Sequence, residues 1–198
     1  DIVVIGGYRH QAIVTPGVRV VLNEEYSTNN ILMSLFCAGD ALTGDVIVSY
    51  GDIVYGPETV SGALSGHAPG SLVVDRSWSR VYEGRSDHPV DEAELCEATP
   101  GELVLRAGKK VGASRALGEF IGLARLSGSL TAKLWSLYLN ALARGDERPF
   151  GDAPSLRRAY FTDILNLAIS QGVLMRAIPI SGGWREIDTV QDLERARA

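Results

Sequence analysis

Short apolar runs alternate with segments of helical periodicity along the first half of the chain. The runs are unbroken and rich in β-branched residues, which is typical of strands covered on both faces. Between them, Asn30 offers a helix N-cap and Pro57 suits a first helical turn. This alternation predicts an α/β fold with a doubly wound, mostly parallel sheet. The predicted strands are Asp1–Ile5, Val18–Leu22, Asp45–Ser49 and Ser71–Asp75.

The second half of the chain has a different pattern. Three short strands without long helices between them predict a small antiparallel extension, followed by two amphipathic helices, a last strand and a terminal helix. These elements are expected at 93–98, 102–106, 119–126, 130–143, 156–170, 173–180 and 189–198. A length of 198 residues suits one domain, so we expect a single domain over 1–198.

Composition narrows the possible partners. A net charge of −5 and a pI near 5.2 argue against a sequence-independent grip on nucleic acid. The apolar run Ile31–Gly39 is too short to cross a bilayer, so no membrane association is expected. Cys37 and Cys96 have no metal-binding spacing and are expected to be reduced and mostly buried. Together these features predict a soluble cytoplasmic protein.

Two acids distant in sequence, Asp52 and Asp188, each follow a predicted strand. In open α/β sheets, ligands bind beyond the carboxyl ends of the strands, so both acids are expected near a cleft. Mg²⁺ on a nucleoside triphosphate is held by one or two carboxylates plus phosphate oxygens and water. Taken singly, Asp52 is equally well a turn residue and Asp188 a helix cap.

Several short motifs follow one another in a suggestive order. They are Gly6-Gly7-Tyr8, Thr28-Asn29-Asn30, Gly51-Asp52-Ile53, Gly108-Lys109, Gly118-Glu119-Phe120-Ile121-Gly122 and Trp184 through Leu193. Their order resembles the nucleotidyltransferases of the sugar-phosphate pyrophosphorylase class, and within it the phosphocholine and phosphonate cytidylyltransferases. The resemblance implies a three-layer, nucleotide-diphospho-sugar transferase-like fold. It also implies Mg²⁺-dependent transfer of CMP from CTP to a small phosphonate or phosphocholine-like acceptor, with release of pyrophosphate.

The resemblance assigns roles to individual residues. Asp52 and Asp188 match its metal ligands, and Lys109 matches a catalytic lysine that meets the acceptor's phosphate or the α-phosphate. A surface lysine and ordinary helix capping remain alternatives for Lys109 and for the Thr28–Asn30 segment. The residues that match the nucleotide-binding positions are Gly7, Thr28, Asn29, Asn30 and Gly51.

The acceptor is expected to contact a segment rich in aromatic residues and arginines. Arginine forks suit phosphonate oxygens, and aromatic faces could cage an alkylammonium. Ordinary packing and solvated arginines are the alternative. The acceptor-binding candidates are Trp78, Tyr82, Arg85, Glu119 and Trp184. The histidines His10, His67 and His88 are interpreted as surface residues.

One departure from the family pattern is expected to matter. The Gly-rich loop that cradles the triphosphate in this class has no match in residues 1–198. We therefore expect further residues before Asp1, no activity from this segment alone, and possibly a fused or associated second domain. A sugar-1-phosphate nucleotidyltransferase and a non-catalytic nucleotide-binding module are the alternative functions.

Overall fold

The structure is a computed structural model that describes residues 1–197. Its strands are β1 (Ile2–Gly6), β2 (Val18–Leu22), β3 (Val46–Ser49), β4 (Ile53–Tyr55), β5 (Gly70–Asp75), β6 (Leu95–Ala98), β7 (Val104–Gly108), β8 (Gly118–Leu126), β9 (Met175–Ile180) and β10 (Trp184–Glu186). Its helices are α1 (Ile31–Phe36), α2 (Pro57–Leu64), α3 (Gly128–Ala143), α4 (Phe161–Ser170) and α5 (Val190–Arg197). Ala198, the last residue of the predicted terminal helix, lies outside the described residues.

The central sheet has six strands in the order β7-β6-β8-β5-β9, and β3 also pairs with β8. Of these pairs, β5 with β9 is parallel, and those that join β8 to β3, β5 and β6 are antiparallel. The α/β class with a central sheet is confirmed, but the prediction of a mostly parallel main sheet is wrong. The long strand β8 reverses the chain direction within the sheet and so makes most of its neighbours antiparallel.

Helices cover both faces of this sheet and give the predicted three layers. The larger core lies under α1, α3 and α4 and includes Leu134, Phe161 and Ile164, each almost inaccessible to solvent. On the other face, Ala63 of α2 and Trp184 of β10 pack on β5 and β8. The pair β1–β2 forms a separate parallel sheet. No helix among residues 1–197 is long and apolar enough to cross a membrane.

The predicted helix starts are confirmed in detail. The Asn30 side chain accepts a hydrogen bond from the backbone N–H of Ile31 at the start of α1, and Pro57 opens α2. The predicted helix over 156–170 begins later as an α-helix, because Leu156–Arg158 forms a separate 3-10 turn before Phe161. Two short strands, β4 and β10, were not predicted, and they build the site described next.

Candidate active site

The antiparallel pair β4–β10 brings the two predicted acids to one place. Its register aligns Ile53 with Glu186, and the backbone N–H of Ile187 donates to the carbonyl of Asp52 at 2.8 Å. Asp52 therefore lies directly before β4 and Asp188 lies two residues after β10, at the same end of the ladder. Residues separated by more than half the chain become neighbours through a ladder of three residues on each side.

Both acids line one cavity of about 200 Å³. We call it the acidic cavity, because its walls hold many more carboxylates than cationic groups. Its acidic residues are Asp52, Glu92, Glu94, Glu119, Glu186 and Asp188. Lys109 and His88 also line it, together with Asn30, Tyr50, Tyr160 and Trp184. A cavity of this charge is suited to a ligand that brings cations with it.

The charges of the acidic cavity act on one another. Partial burial raises the pKa of the Asp52 carboxyl above its ordinary value, and the negative charge of Asp188 adds to the rise. Burial also raises the pKa of Glu186, again with a contribution from Asp188. Bringing these carboxylates together without a cation is therefore unfavourable, which is the electrostatic condition under which a divalent ion binds well.

Asp188 is held by two cationic side chains from the loop before β6. His88 Nδ1 lies 2.8 Å from an Asp188 carboxylate oxygen, and an Arg85 guanidinium nitrogen lies 3.8 Å from the same oxygen. His88, Glu186 and Asp188 also place one potential ligand atom each within 4.8 Å of the others. The interpretation of His88 as a surface residue is wrong, because its side chain is only 16% exposed and forms part of the cavity wall.

Lys109 faces the acidic cavity from the end of β7. Its ammonium contacts Glu92, donates to the Tyr160 hydroxyl at 3.2 Å, and lies 4.6 Å from the centre of the Tyr160 ring. Burial acts to lower the pKa of Lys109, but the contacts with Glu92 and Tyr160 outweigh it and raise the pKa. Lys109 is therefore a fixed positive charge at neutral pH.

The opposite wall is formed by two buried carboxyls. Glu94 accepts hydrogen bonds from the Tyr50 hydroxyl at 2.7 Å and from the Thr162 hydroxyl at 2.6 Å. The Tyr50 ring is seated over Gly122, where a side chain would meet it at 2.4 Å and where φ is +83°. Glu119, the second residue of β8, is 4% exposed and accepts from the Tyr82 hydroxyl at 2.6 Å.

Of the predicted nucleotide-binding residues, the structure brings Asn30 to the acidic cavity. Asn29 exchanges side-chain hydrogen bonds with Asn23, and the exposed Thr28 hydroxyl donates to the carbonyl of Glu25. Gly7 lies against Tyr26, whose atoms would be 2.6 Å from an added Cβ. Gly51 precedes Asp52 in an exposed turn. Thr28, Asn29, Gly7 and Gly51 do not line the acidic cavity.

The predicted acceptor residues separate into two groups. Glu119 and Trp184 line the acidic cavity, with the Trp184 indole N–H donating to the Asp75 carboxyl at 2.9 Å. Trp78 and Tyr82 pack edge to face beneath it, with ring centres 6.0 Å apart. Arg85 has a side chain only 1% exposed and binds carboxylates of the protein itself, so it is not open to a phosphonate.

A second cavity of about 260 Å³ lies on the other side of Glu186. Arg80, Arg185 and Arg195 line it, but Asp52, Lys109 and Asp188 do not. The smaller acidic cavity is the better candidate, because it alone of the two gathers the acids and the lysine that the sequence singled out.

Comparison with known proteins supplies a relative over nearly the whole chain. No family model matches the sequence. The CTP:phosphoglutamine cytidylyltransferase of Campylobacter jejuni subsp. jejuni serotype O:2 is 28% identical over 206 aligned positions, which cover 98% of this chain and 79% of that protein.

Solved structures agree with the fold. The CTP:phosphocholine cytidylyltransferase from Streptococcus pneumoniae superposes with a TM-score of 0.72 at 17% identity, covering 99% of this chain and 76% of its own. The inositol-1-phosphate CTP transferase from T. maritima gives a TM-score of 0.65 at 18% identity, covering 96% and 70%. At such identities these two likenesses establish the fold, a nucleotide-diphospho-sugar transferase-like architecture.

Proposed function

We propose that this chain, a nucleotidyltransferase related to the cytidylyltransferases, transfers CMP from CTP to a small phosphorylated or phosphonate acceptor and releases pyrophosphate. Phosphoglutamine-like, phosphocholine-like and aminoalkylphosphonate compounds are the acceptors to compare. The observation that carries the proposal is the meeting of Asp52, Asp188 and Lys109 in one acidic cavity. A polyphosphate needs divalent and monovalent cations beside it, and these residues provide for both.

Asp52 and Asp188 are the residues that would hold Mg²⁺ in this proposal. Their hard carboxylate oxygens suit that ion, and the unfavourable proximity of their charges supports a cation between them. Bound there, Mg²⁺ would supply electrostatic stabilisation of the charge that builds on the triphosphate. His88 and Arg85 orient Asp188 from behind, since both contact its carboxylate.

The reaction asks little acid–base chemistry of the protein. A phosphate or phosphonate oxygen of the acceptor attacks the α-phosphorus in line, while the bond from that phosphorus to the β-phosphate oxygen breaks and pyrophosphate leaves with the electron pair. Lys109 is charged and fixed by Glu92 and Tyr160, so its ammonium is placed to offset the growing negative charge. The acceptor dianion is already a nucleophile and needs no general base.

The test is a pyrophosphate-release assay on the intact protein, with four nucleoside triphosphates against a panel of phosphorylated and phosphonate acceptors. We expect CTP to be preferred and Asp52→Asn and Asp188→Asn each to lower turnover by about 100-fold or more. Asp40→Asn, a change at an exposed acid on a 3-10 turn, is the matched control and should leave turnover unchanged. Equal use of CTP and UTP would overturn the nucleotide assignment, and near-normal activity of Asp52→Asn would overturn the metal assignment.

A further inference from the structure

Glu119 carries a buried oxygen that the fold leaves without a partner. Its Oε1 accepts from the Tyr82 hydroxyl at 2.6 Å, while its Oε2 has no hydrogen-bond partner among residues 1–197. Buried polar atoms of native proteins are nearly always hydrogen-bonded, because an unmade bond costs the full desolvation of the group. A carboxyl left half satisfied in the wall of a ligand cavity points to a bond that a ligand completes.

The charges around Glu119 indicate the sign of that ligand. Burial raises the pKa of Glu119 to about 8 despite the Tyr82 hydrogen bond, and the nearby carboxylates of Glu186 and Asp75 add to the rise. Arg85 is the nearby cation, but its guanidinium is bound to Glu186 and Asp192. Glu119 therefore lies in a region of excess negative charge that a cationic ligand would relieve.

This region is distinct from the proposed metal site. The carboxylate that acts on Asp52 is Asp188, whereas those that act on Glu119 are Glu186 and Asp75. The acidic cavity thus has two places that call for positive charge. One suits a divalent ion, and the other, at Glu119, offers a single hydrogen-bond acceptor.

Aromatic surfaces around Glu119 are already occupied. The Arg85 guanidinium lies over the Tyr82 ring, 5.3 Å from its centre, and Trp78 packs edge to face on the same ring. Trp184 is 3% exposed and its indole N–H is committed to Asp75. A quaternary ammonium is recognised by open aromatic faces and has no N–H to donate. The surroundings of Glu119 therefore favour an ammonium that bears hydrogens.

We propose that Glu119 binds a primary ammonium group of the acceptor, which donates an N–H to Oε2. The inference rests on the proposed function for the acceptor's phosphate or phosphonate end, and it adds the chemistry of the other end. It selects aminoalkyl phosphates, aminoalkylphosphonates and amino-acid phosphates over choline compounds.

The decisive test uses phosphoethanolamine and phosphocholine, two acceptors that differ only by methylation of the nitrogen. Their binding to the intact protein is measured by calorimetry with Mg²⁺ and a non-transferable CTP analogue. We expect phosphoethanolamine to bind at least about tenfold more tightly, and Glu119→Gln to remove most of that difference. Glu58→Gln, an exposed position in the first turn of α2, is the matched control and should preserve it.

The pH dependence gives a second readout that a merely structural role would not produce. The ammonium binds the ionised form of Glu119, whose pKa is about 8 in the free protein. Affinity for phosphoethanolamine should therefore rise with pH between about 6.5 and 8 and then level off. Glu119→Gln should flatten this profile, while the affinity for the CTP analogue stays the same.

The outcomes separate the two proposals. Equal binding of the two acceptors, or a preference that survives Glu119→Gln, overturns the inference even when CTP-dependent turnover is found. Failure of the CTP analogue to bind overturns the proposed function instead, and the acceptor titrations without nucleotide then still compare the two nitrogens.

Discussion

Arg85 is the residue whose replacement tests the architecture of the site most sharply. Its guanidinium donates to Asp192 at 2.6 and 2.9 Å and to Glu186 at 3.1 Å, and its side chain is 1% exposed. It thereby ties β10 and the start of α5 to the loop that carries His88. Arg85→Met keeps the length of the side chain and removes the charge.

The magnitude follows from the carboxylates that lose their partner. Burial acts to raise the pKa of Asp192, but hydrogen bonds from Arg85 and Thr189 outweigh it and lower the pKa to about 2 from an ordinary value of 3.8. A depression of that size corresponds to about 2.5 kcal/mol of stability at neutral pH. Because Glu186 also loses a partner, we expect Arg85→Met to lower the free energy of unfolding by about 3–5 kcal/mol.

The assay is urea denaturation at pH 7 and pH 3, with Arg76→Met as the control. Arg76 pairs with Glu102 at 3.2 Å on the surface, so its loss should cost about 0–1 kcal/mol. The contribution of Asp192 is complete above its unfolded pKa and is lost as the pH falls through its folded pKa. About half of it should be gone by pH 3. A loss for Arg85→Met no larger than for Arg76→Met, or one independent of pH, would refute this reasoning.

Three further predictions follow from single contacts. Gly122→Ala should cost more than about 2 kcal/mol in thermal unfolding, because it adds a clash with the Tyr50 ring to a positive φ. Gly145→Ala, with φ +82° and open space around it, should cost only about 1–2 kcal/mol, and equal losses would contradict the close approach. Lys109→Met should lower kcat/KM by about 100-fold or more, whereas the exposed Lys110→Met should not; matched losses would remove Lys109 from the reaction. Cys96, fully buried with a pKa raised to about 12, should resist a thiol reagent at pH 8 until the protein unfolds, and rapid labelling in the native state would contradict its placement.

The sequence predicted the elements with strong periodicity and missed those too short to show any. The N-cap at Asn30 and the proline at the start of α2 carry local signals, and the structure has both. Strands β4 and β10 have three residues each, too few for an alternating pattern, so their pairing was not visible. That pairing places Asp52 beside Asp188, and only the tertiary structure reveals it.

The direction of the sheet and the surroundings of individual side chains were equally beyond sequence reasoning. An apolar run looks the same in a parallel and in an antiparallel strand, so β8 gave no sign that it runs against β5. Nothing in the sequence separated His88 from the other two histidines until the loop placed it 2.8 Å from Asp188. The unpartnered oxygen of Glu119 depends on where Tyr82 sits, which no local pattern encodes.

The account rests on Asp52 and Asp188 sharing one divalent ion at the triphosphate. The most direct measurement is a crystal structure of the intact protein with CTP and Mn²⁺, in which anomalous scattering locates the ion. We expect a manganese peak bonded to a carboxylate oxygen of both acids and to phosphate oxygens of the nucleotide. A peak held by His88 and Glu186 without Asp52, or a nucleotide bound away from the acidic cavity, would contradict it.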